Sequence, residues 1–183
     1  LRYYKISSSD LNNFNLLDKI ASKKKPIILS TGAANLGEIE LTLKFLEKRK
    51  VKDICLLHCI LNYPTNDFDS NLNIITELKI NFPKYHIGIS DHTVPNDSMN
   101  ILVYAYILGA KIIEKHFTHN KKLKGNDHYH SMDFKDLKKL NEQITIAKKI
   151  IGKKTRKVNL SIEKKSRKNA RRSICIFKSI KKN

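Results

Sequence analysis

Two histidines close two similar stretches of this chain, "IGISDHT" at 87–93 and "LGAKIIEKHF" at 108–117. In each an apolar run ends abruptly in polar side chains, Ser90, Asp91 and His92 in the first, Glu114 and His116 in the second. Such groups are costly to bury unless something binds them. If the two runs are neighbouring parallel strands about 4.8 Å apart, both imidazoles can reach one cation at about 2.1 Å each. Imidazole, carboxylate and water together suit a divalent ion such as manganese or zinc. A lone histidine at a strand end is more often a hydrogen-bonded structural residue, so the pairing, with Asp91 and Glu114 beside it, carries the metal reading.

A second constellation is Lys5 with Ser8, Ser30 and Ser90: one cation and several hydroxyls, the inventory for holding a phosphate. The same serines could instead cap the helices that follow them. Asp127, in "GNDHYHS", and Glu114 are the carboxylates best placed for proton transfer or for binding sugar hydroxyls. His128 and His130 could add metal ligands, although loop histidines are usually solvated. His58 and His86 read as structural, and His119 says little.

These side chains need a scaffold, and the apolar pattern supplies one. Five short runs, "RYYKIS" (2–7), "PIILST" (26–31), "ICLLHC" (54–59), "HIGIS" (86–90) and "KIIEKHF" (111–117), read as strands buried on both faces. Helical spacing fills the intervals at 10–22, 37–50, 71–82 and 97–109, with Asp10, Asn71 and Asp97 as expected N-caps. A fifth helix is expected from about 134 to 151, capped by Asp133 with Asp136 three residues on, and stopped by Gly152.

Five β-α units in series mean a parallel sheet, closed either as an open doubly wound sheet or as a (β/α)8 barrel. No G-x-G-x-x-G follows the first strand, which speaks against a dinucleotide fold. In both architectures ligands gather at the C-terminal ends of the strands. All five strands here end in reactive-looking residues: Lys5 to Ser8, Ser30 and Thr31, His58 and Cys59 with Tyr63 nearby, Ser90 to His92, and Glu114 to His116. Five polar endings in phase predict one site.

Composition narrows the class. At 183 residues, 40% of them apolar, the chain is long enough for a sizeable core. No apolar run approaches the roughly 20 residues of a membrane span, and no signal-peptide core opens the chain. A cytoplasmic protein is expected. Cys55 and Cys59, four strand residues apart, lie roughly 13 Å from each other, too far for a disulfide. The net charge of +19 invites a nucleic-acid reading, but residues 151–183 hold thirteen of the Lys and Arg residues against one Glu. The excess is concentrated in a tail with little apolar periodicity, and abundant Lys, Asn and Ile match the residue usage of an AT-rich genome. Nucleic-acid binding is therefore the weaker reading.

The segments "KPIILSTGAANLGEIE", "LLHCILNYPT" followed by "NLNII", "IGISDHT", "LGAKIIEKHF" and "GNDHYHS" resemble the successive motifs of the sialic acid synthase (N-acetylneuraminate synthase) family. The resemblance runs from Tyr4 to "ARRSI" at 170–174. It implies a TIM barrel, a (β/α)8 fold, that condenses phosphoenolpyruvate with an N-acetylated hexose aldehyde such as N-acetylmannosamine, releasing phosphate. Carried over by position, His92 and His116 match ligands of a divalent ion, manganese or magnesium. Lys5, Ser8, Ser30 and Ser90 match positions that hold phosphoenolpyruvate. Tyr63 and Asp127 match sugar contacts, while Asp10 and Glu114 match the catalytic acidic positions that manage protons and the attacking water.

This chain departs from the family at three points. Leu61 stands where a small polar residue is usual. About five units are present, so residues 1–152 are expected to be a partial barrel lacking its first three strands. Residues 153–183 are expected to be a basic linker toward an absent antifreeze-like domain, which in the family completes the site of a homodimer. Two other readings follow: a catalytically dead remnant whose tail binds nucleic acid or an acidic partner, and a legionaminic or pseudaminic acid synthase.

Overall fold

A computed structural model of the chain describes residues 1–125, 127–152, 160–179 and 181–182. It divides into two units, residues 1–150 and 151–183. Within the first, five parallel strands form one sheet: β1 (Tyr4–Ile6), β2 (Ile27–Ser30), β3 (Ile54–Cys59), β4 (His86–Asp91) and β5 (Ile113–Lys115). Their spatial order is their sequence order. A doubly wound sheet reverses direction at a switch point; this one never does, so it is a stretch of barrel wall. The TIM-barrel expectation holds, with five of the eight strands present.

Helices α1 (Phe14–Ala21), α2 (Leu36–Lys48), α3 (Asn73–Asn81), α4 (Asn100–Leu108) and α5 (Phe134–Ile151) follow the strands in turn. Because side chains alternate along a strand, Ile27, Leu29, Ile54, Leu56, Ile87 and Ile89 share one face. They join Leu17, Leu43, Leu46, Ile75, Leu78, Leu102 and Ala105 of the helices in a single buried core. Each such Leu or Ile contributes about 1.5–3 kcal/mol. The opposite face also begins apolar: Leu57 is fully buried there. It covers Gly88, where an added Cβ would stand 2.6 Å from Leu57 and 2.5 Å from the Ile112 carbonyl oxygen.

The helix starts correct three expected caps. Asn13, not Asp10, accepts the Leu16 N–H at the head of α1. Asp10 lies in a one-turn 3-10 helix and binds Ser7 and Asn13 instead. At α3 the cap is Leu72, with no side-chain bond, and Asn71 takes a positive φ of 41°. At α4 Asn96 reaches the Asn100 N–H, while Asp97 turns outward to Lys139. Asp10 is used by its own turn, Asn71 by a left-handed backbone position, and Asp97 by an ion pair with a distant helix. The α5 box is as expected: Asp133 and Asp136 exchange backbone-to-carboxylate bonds of 3.0 and 3.1 Å. Gly152 follows with φ 68°.

The second unit contains a helix, α6 (Leu160–Ala170), where the sequence predicted only a tail. Glu163 in its first turn and Arg167 and Lys168 in its last oppose the helix dipole, and Glu163 to Arg167 is a favourable i,i+4 spacing. The 153–159 part of the expected linker lies outside the described residues. No helix among the described residues is long and apolar enough to cross a membrane.

Candidate active site

The strand-end residues converge on the concave face of the sheet. Lys5 Nζ donates to Ser30 Oγ at 2.9 Å and lies 3.3 Å from Glu114 Oε1. Ser90 Oγ donates to that same oxygen at 2.7 Å. Lys5 is on β1 and Glu114 on β5, four strand spacings apart, roughly 19 Å in a flat sheet. Their contact requires the sheet to curl until its first and fifth strands face each other across the interior, as opposite staves of an eight-stranded barrel do. Ser8 stands beside this group, accepting the Gly32 N–H at 2.9 Å. Gly32 has no room for a side chain: a Cβ would meet Ser8 Oγ at 2.8 Å and Cys59 Sγ at 3.0 Å.

Next to this polar ring lies a cluster of aromatic rings. The centroids of His92 and His116 are 5.3 Å apart, those of His116 and His130 5.2 Å. Tyr63 lies against His92 at 4.1 Å and reaches His116 at 5.8 Å. Loops hold these rings in place. Thr65 donates its N–H to the His92 carbonyl at 3.0 Å, tying the Tyr63 loop to β4. The Met132 N–H donates to the His116 carbonyl and the Thr118 N–H to the Met132 carbonyl, both at 2.8 Å, fixing the loop that carries Asp127 and His130 just beyond β5. His128 is drawn aside to Thr118 Oγ1 at 2.8 Å.

The electrostatics favour neutral imidazoles. Burial holds His92 below the usual histidine range, His116 beside it adds to the effect, and its bond to Ile60 opposes it. Since a carbonyl can only accept, His92 Nδ1–H donates to the Ile60 oxygen at 2.8 Å. Nε2 is then the nitrogen with a free lone pair, the arrangement of metal-binding histidines. His130 is likewise held low, first by burial and then by His116. Burial also pushes the Cys59 thiol up, against hydrogen bonds from Ser8 and Ser90 and the nearby Lys5 charge, so Cys59 sits among them as a neutral thiol. All three cysteines are free, Cys55 and Cys59 as their spacing predicts.

The metal expectation meets the geometry of the donors. His116, Asp127 and His130 bring one ligand atom each within 4.8 Å of one another, and His92 stands alongside His116. His130 is completely buried, so its expected solvation is corrected. Asp91, placed beside His92 by sequence, is corrected too. It faces the helices, paired with Lys115 at 2.8 Å, both side chains about 5% exposed. Its oxygens also accept the Thr93 N–H and hydroxyl at 3.0 Å. His58, on that same outer face, donates to the Ser70 carbonyl at 2.7 Å and is structural, as expected. Asp10 keeps its local bonds to Ser7 and Asn13 rather than joining the Lys5–Glu114 group.

Sequence reasoning missed the Lys5–Glu114 contact, which only curvature creates, and the burial of His130. The parity of Asp91 with Ile87 and Ile89 was a signal of its outward direction.

A curved parallel wall with its polar cluster at the C-terminal strand ends is the plan of a TIM-barrel protein with a rim site. The NeuB family model matches residues 1–156. The chain is 42% identical, over its full length and 54% of the relative's, to the N,N'-diacetyllegionaminic acid synthase of Campylobacter jejuni. It is 43% identical, over 98% of its length and 52% of the relative's, to an uncharacterized protein of Methanocaldococcus jannaschii. Among solved structures, it superposes with TM-score 0.82 on the N-acetylneuraminic acid synthetase of Leptospira borgpetersenii in complex with citrate. That match is 35% identical and covers 94% of this chain and 60% of the other. The chain belongs to the NeuB family. It spans about half the length of the curated relatives it matches.

Proposed function

We propose that these residues form the C-terminal five-eighths of a nonulosonate synthase barrel, a cytoplasmic, homodimeric enzyme that condenses phosphoenolpyruvate with an N-acetylated hexose aldehyde. The observation that carries this reading is the ring Ser30–Lys5–Glu114–Ser90 closing across the barrel interior beside three histidines. In the reaction C3 of the enol bonds to the aldehyde carbon, the aldehyde oxygen gains a proton, water adds to C2 and phosphate leaves. Positive charge develops at C2 and negative charge at the aldehyde oxygen, so the pocket must offer opposite signs at its two ends.

Each residue has a place in that scheme. Lys5, with Ser8, Ser30 and Ser90, holds the carboxylate and phosphate of phosphoenolpyruvate. Glu114, its Oε1 already accepting from Ser90, faces C2 and takes the proton of the attacking water, with Asp10 as the second acidic group. Tyr63 and Asp127 orient the sugar. His92 and His116 fit a divalent ion through ring-nitrogen lone pairs, manganese better than magnesium, which prefers oxygen ligands. When bound, such an ion supplies Lewis acidity at the aldehyde oxygen.

The test is acceptor-dependent phosphate release from phosphoenolpyruvate by the complete polypeptide, across N-acetylmannosamine and the acceptors of legionaminic and pseudaminic acid. His92→Ala and His116→Ala are expected to cut turnover at least about 100-fold, the scale on which ligand-shell losses act. Near-normal turnover in both would remove the metal assignment, and no release with any acceptor would remove the reaction. DNA upstream of Leu1 is expected to encode the remaining three β-α units.

A further inference from the structure

His130 is a buried side chain for which the proposed reaction has no use. It is fully enclosed, and among the described residues neither ring nitrogen has a hydrogen-bond partner. Leaving a buried polar group unpaired costs about 1–3 kcal/mol, and the loop around it is not slack. Met132 N–H bonds to the His116 carbonyl, Thr118 N–H to the Met132 carbonyl, and Ser131 Oγ to the Asp127 carbonyl. A ring clamped in that way with two unused nitrogens needs a partner that the described residues do not supply.

We propose that His130 is a ligand of the divalent ion, forming with His116 and Asp127 a two-imidazole, one-carboxylate set next to His92. The separations distinguish coordination from hydrogen bonding. Asp127 Oδ2 lies 3.6 Å from His116 Nδ1 and Oδ1 lies 3.9 Å from His130 Nε2. Both are too long for hydrogen bonds. A tetrahedral ion with ligands at about 2.1 Å holds its donors roughly 3.4 Å apart, and one ligand atom from each of the three residues lies within 4.8 Å of the others, so closure around an ion needs shifts of about an ångström or less. Asp127 can still meet a sugar hydroxyl with its remaining lone pairs. A set this rich in imidazole selects zinc or cobalt over magnesium, which prefers oxygen ligands.

This inference rests on the metal reading above, and the experiment separates the two. The complete polypeptide is titrated with Co2+, read by its visible d–d spectrum, and then competed with Zn2+ and Mg2+. The expected result is Co2+ bound with the intense bands of a low-coordinate ion, displaced by Zn2+ and not by a large excess of Mg2+. His130→Phe and Asp127→Asn are each expected to weaken Co2+ binding at least about 100-fold and to shift the bands. Asp127 is more than half exposed, so its variant decides the matter if His130→Phe fails to fold. Unchanged affinity and spectrum in these variants, with binding lost in His116→Ala, would overturn the role of His130 and leave the two-histidine site standing. No Co2+ binding by the unmodified complete polypeptide would overturn both.

Discussion

Glu114 and Lys115 are neighbours in sequence and belong to different parts of the molecule. Glu114 faces the barrel interior with its side chain 38% exposed, sharing one oxygen between Ser90 and Lys5. Lys115 faces the helix layer, 5% exposed, locked to Asp91 and to the Thr93 carbonyl. The same contrast divides His92 from Asp91. A polar residue at a strand end is thus chemical or structural according to its parity. Inner groups keep open valences even where they are buried, as His92 is, whereas the outer Asp91 and Lys115 are both desolvated and saturated.

The outer pair should give the largest effect on stability. Lys115→Met leaves Asp91 charged and buried without its partner, a change that typically costs about 3–5 kcal/mol. Urea or thermal unfolding measures it, and a loss below about 1 kcal/mol would mean that the outer face tolerates free charge as the inner one does. Gly88→Ala should cost about 1–3 kcal/mol through overpacking, since the new methyl group meets the Ile112 backbone as well as Leu57. Since Ile112 leads into β5, this variant should also impair the site above it, unlike Lys115→Met at equal residual stability.

The smallest effect concerns acid. Burial holds His58 below its ordinary value of 6.5. The unfolded chain therefore takes up a proton before the folded one does. Stability is full above pH 6.5, declines as pH falls below it, and levels off below the folded pKa, at no more than about 1.4 kcal/mol per pH unit for this group. Melting temperatures of the chain and of His58→Gln across pH 5–8 test this: the variant should show the shallower slope.

How much of this could be read from residues alone varied with the kind of interaction. Apolar runs revealed all five strands because burial on both faces needs no partner information. The Asp133–Asp136 box was readable because both halves lie within one turn. The caps at α1, α3 and α4 were misplaced because turn geometry, invisible in spacing, diverted Asp10 and Asn71, and an ion pair with Lys139 drew Asp97 away. The strand endings predicted Lys5, Ser30, Ser90, Glu114, His92 and His116 as a group, and the structure gathers them on one concave face. Contacts made by curvature were out of reach: nothing in sequence brings Lys5 to Glu114. His130 looked like a solvated loop residue because its enclosure comes from the return of its loop onto β5. The helix at 160–170 was hidden by its lack of an apolar stripe.

The division of labour between the two faces is tested most directly by measuring turnover and melting temperature together for Glu114→Gln and Asp91→Asn in the complete polypeptide. Glu114→Gln breaks only a partly exposed ion pair worth about 0–1 kcal/mol, so its melting temperature should stay within a few degrees while phosphate release falls about 100-fold or more. Asp91→Asn should do the reverse, losing stability first and activity only as far as the protein unfolds. Full turnover in Glu114→Gln, or a stable but inactive Asp91→Asn, would contradict the assignment of chemistry to the inner face.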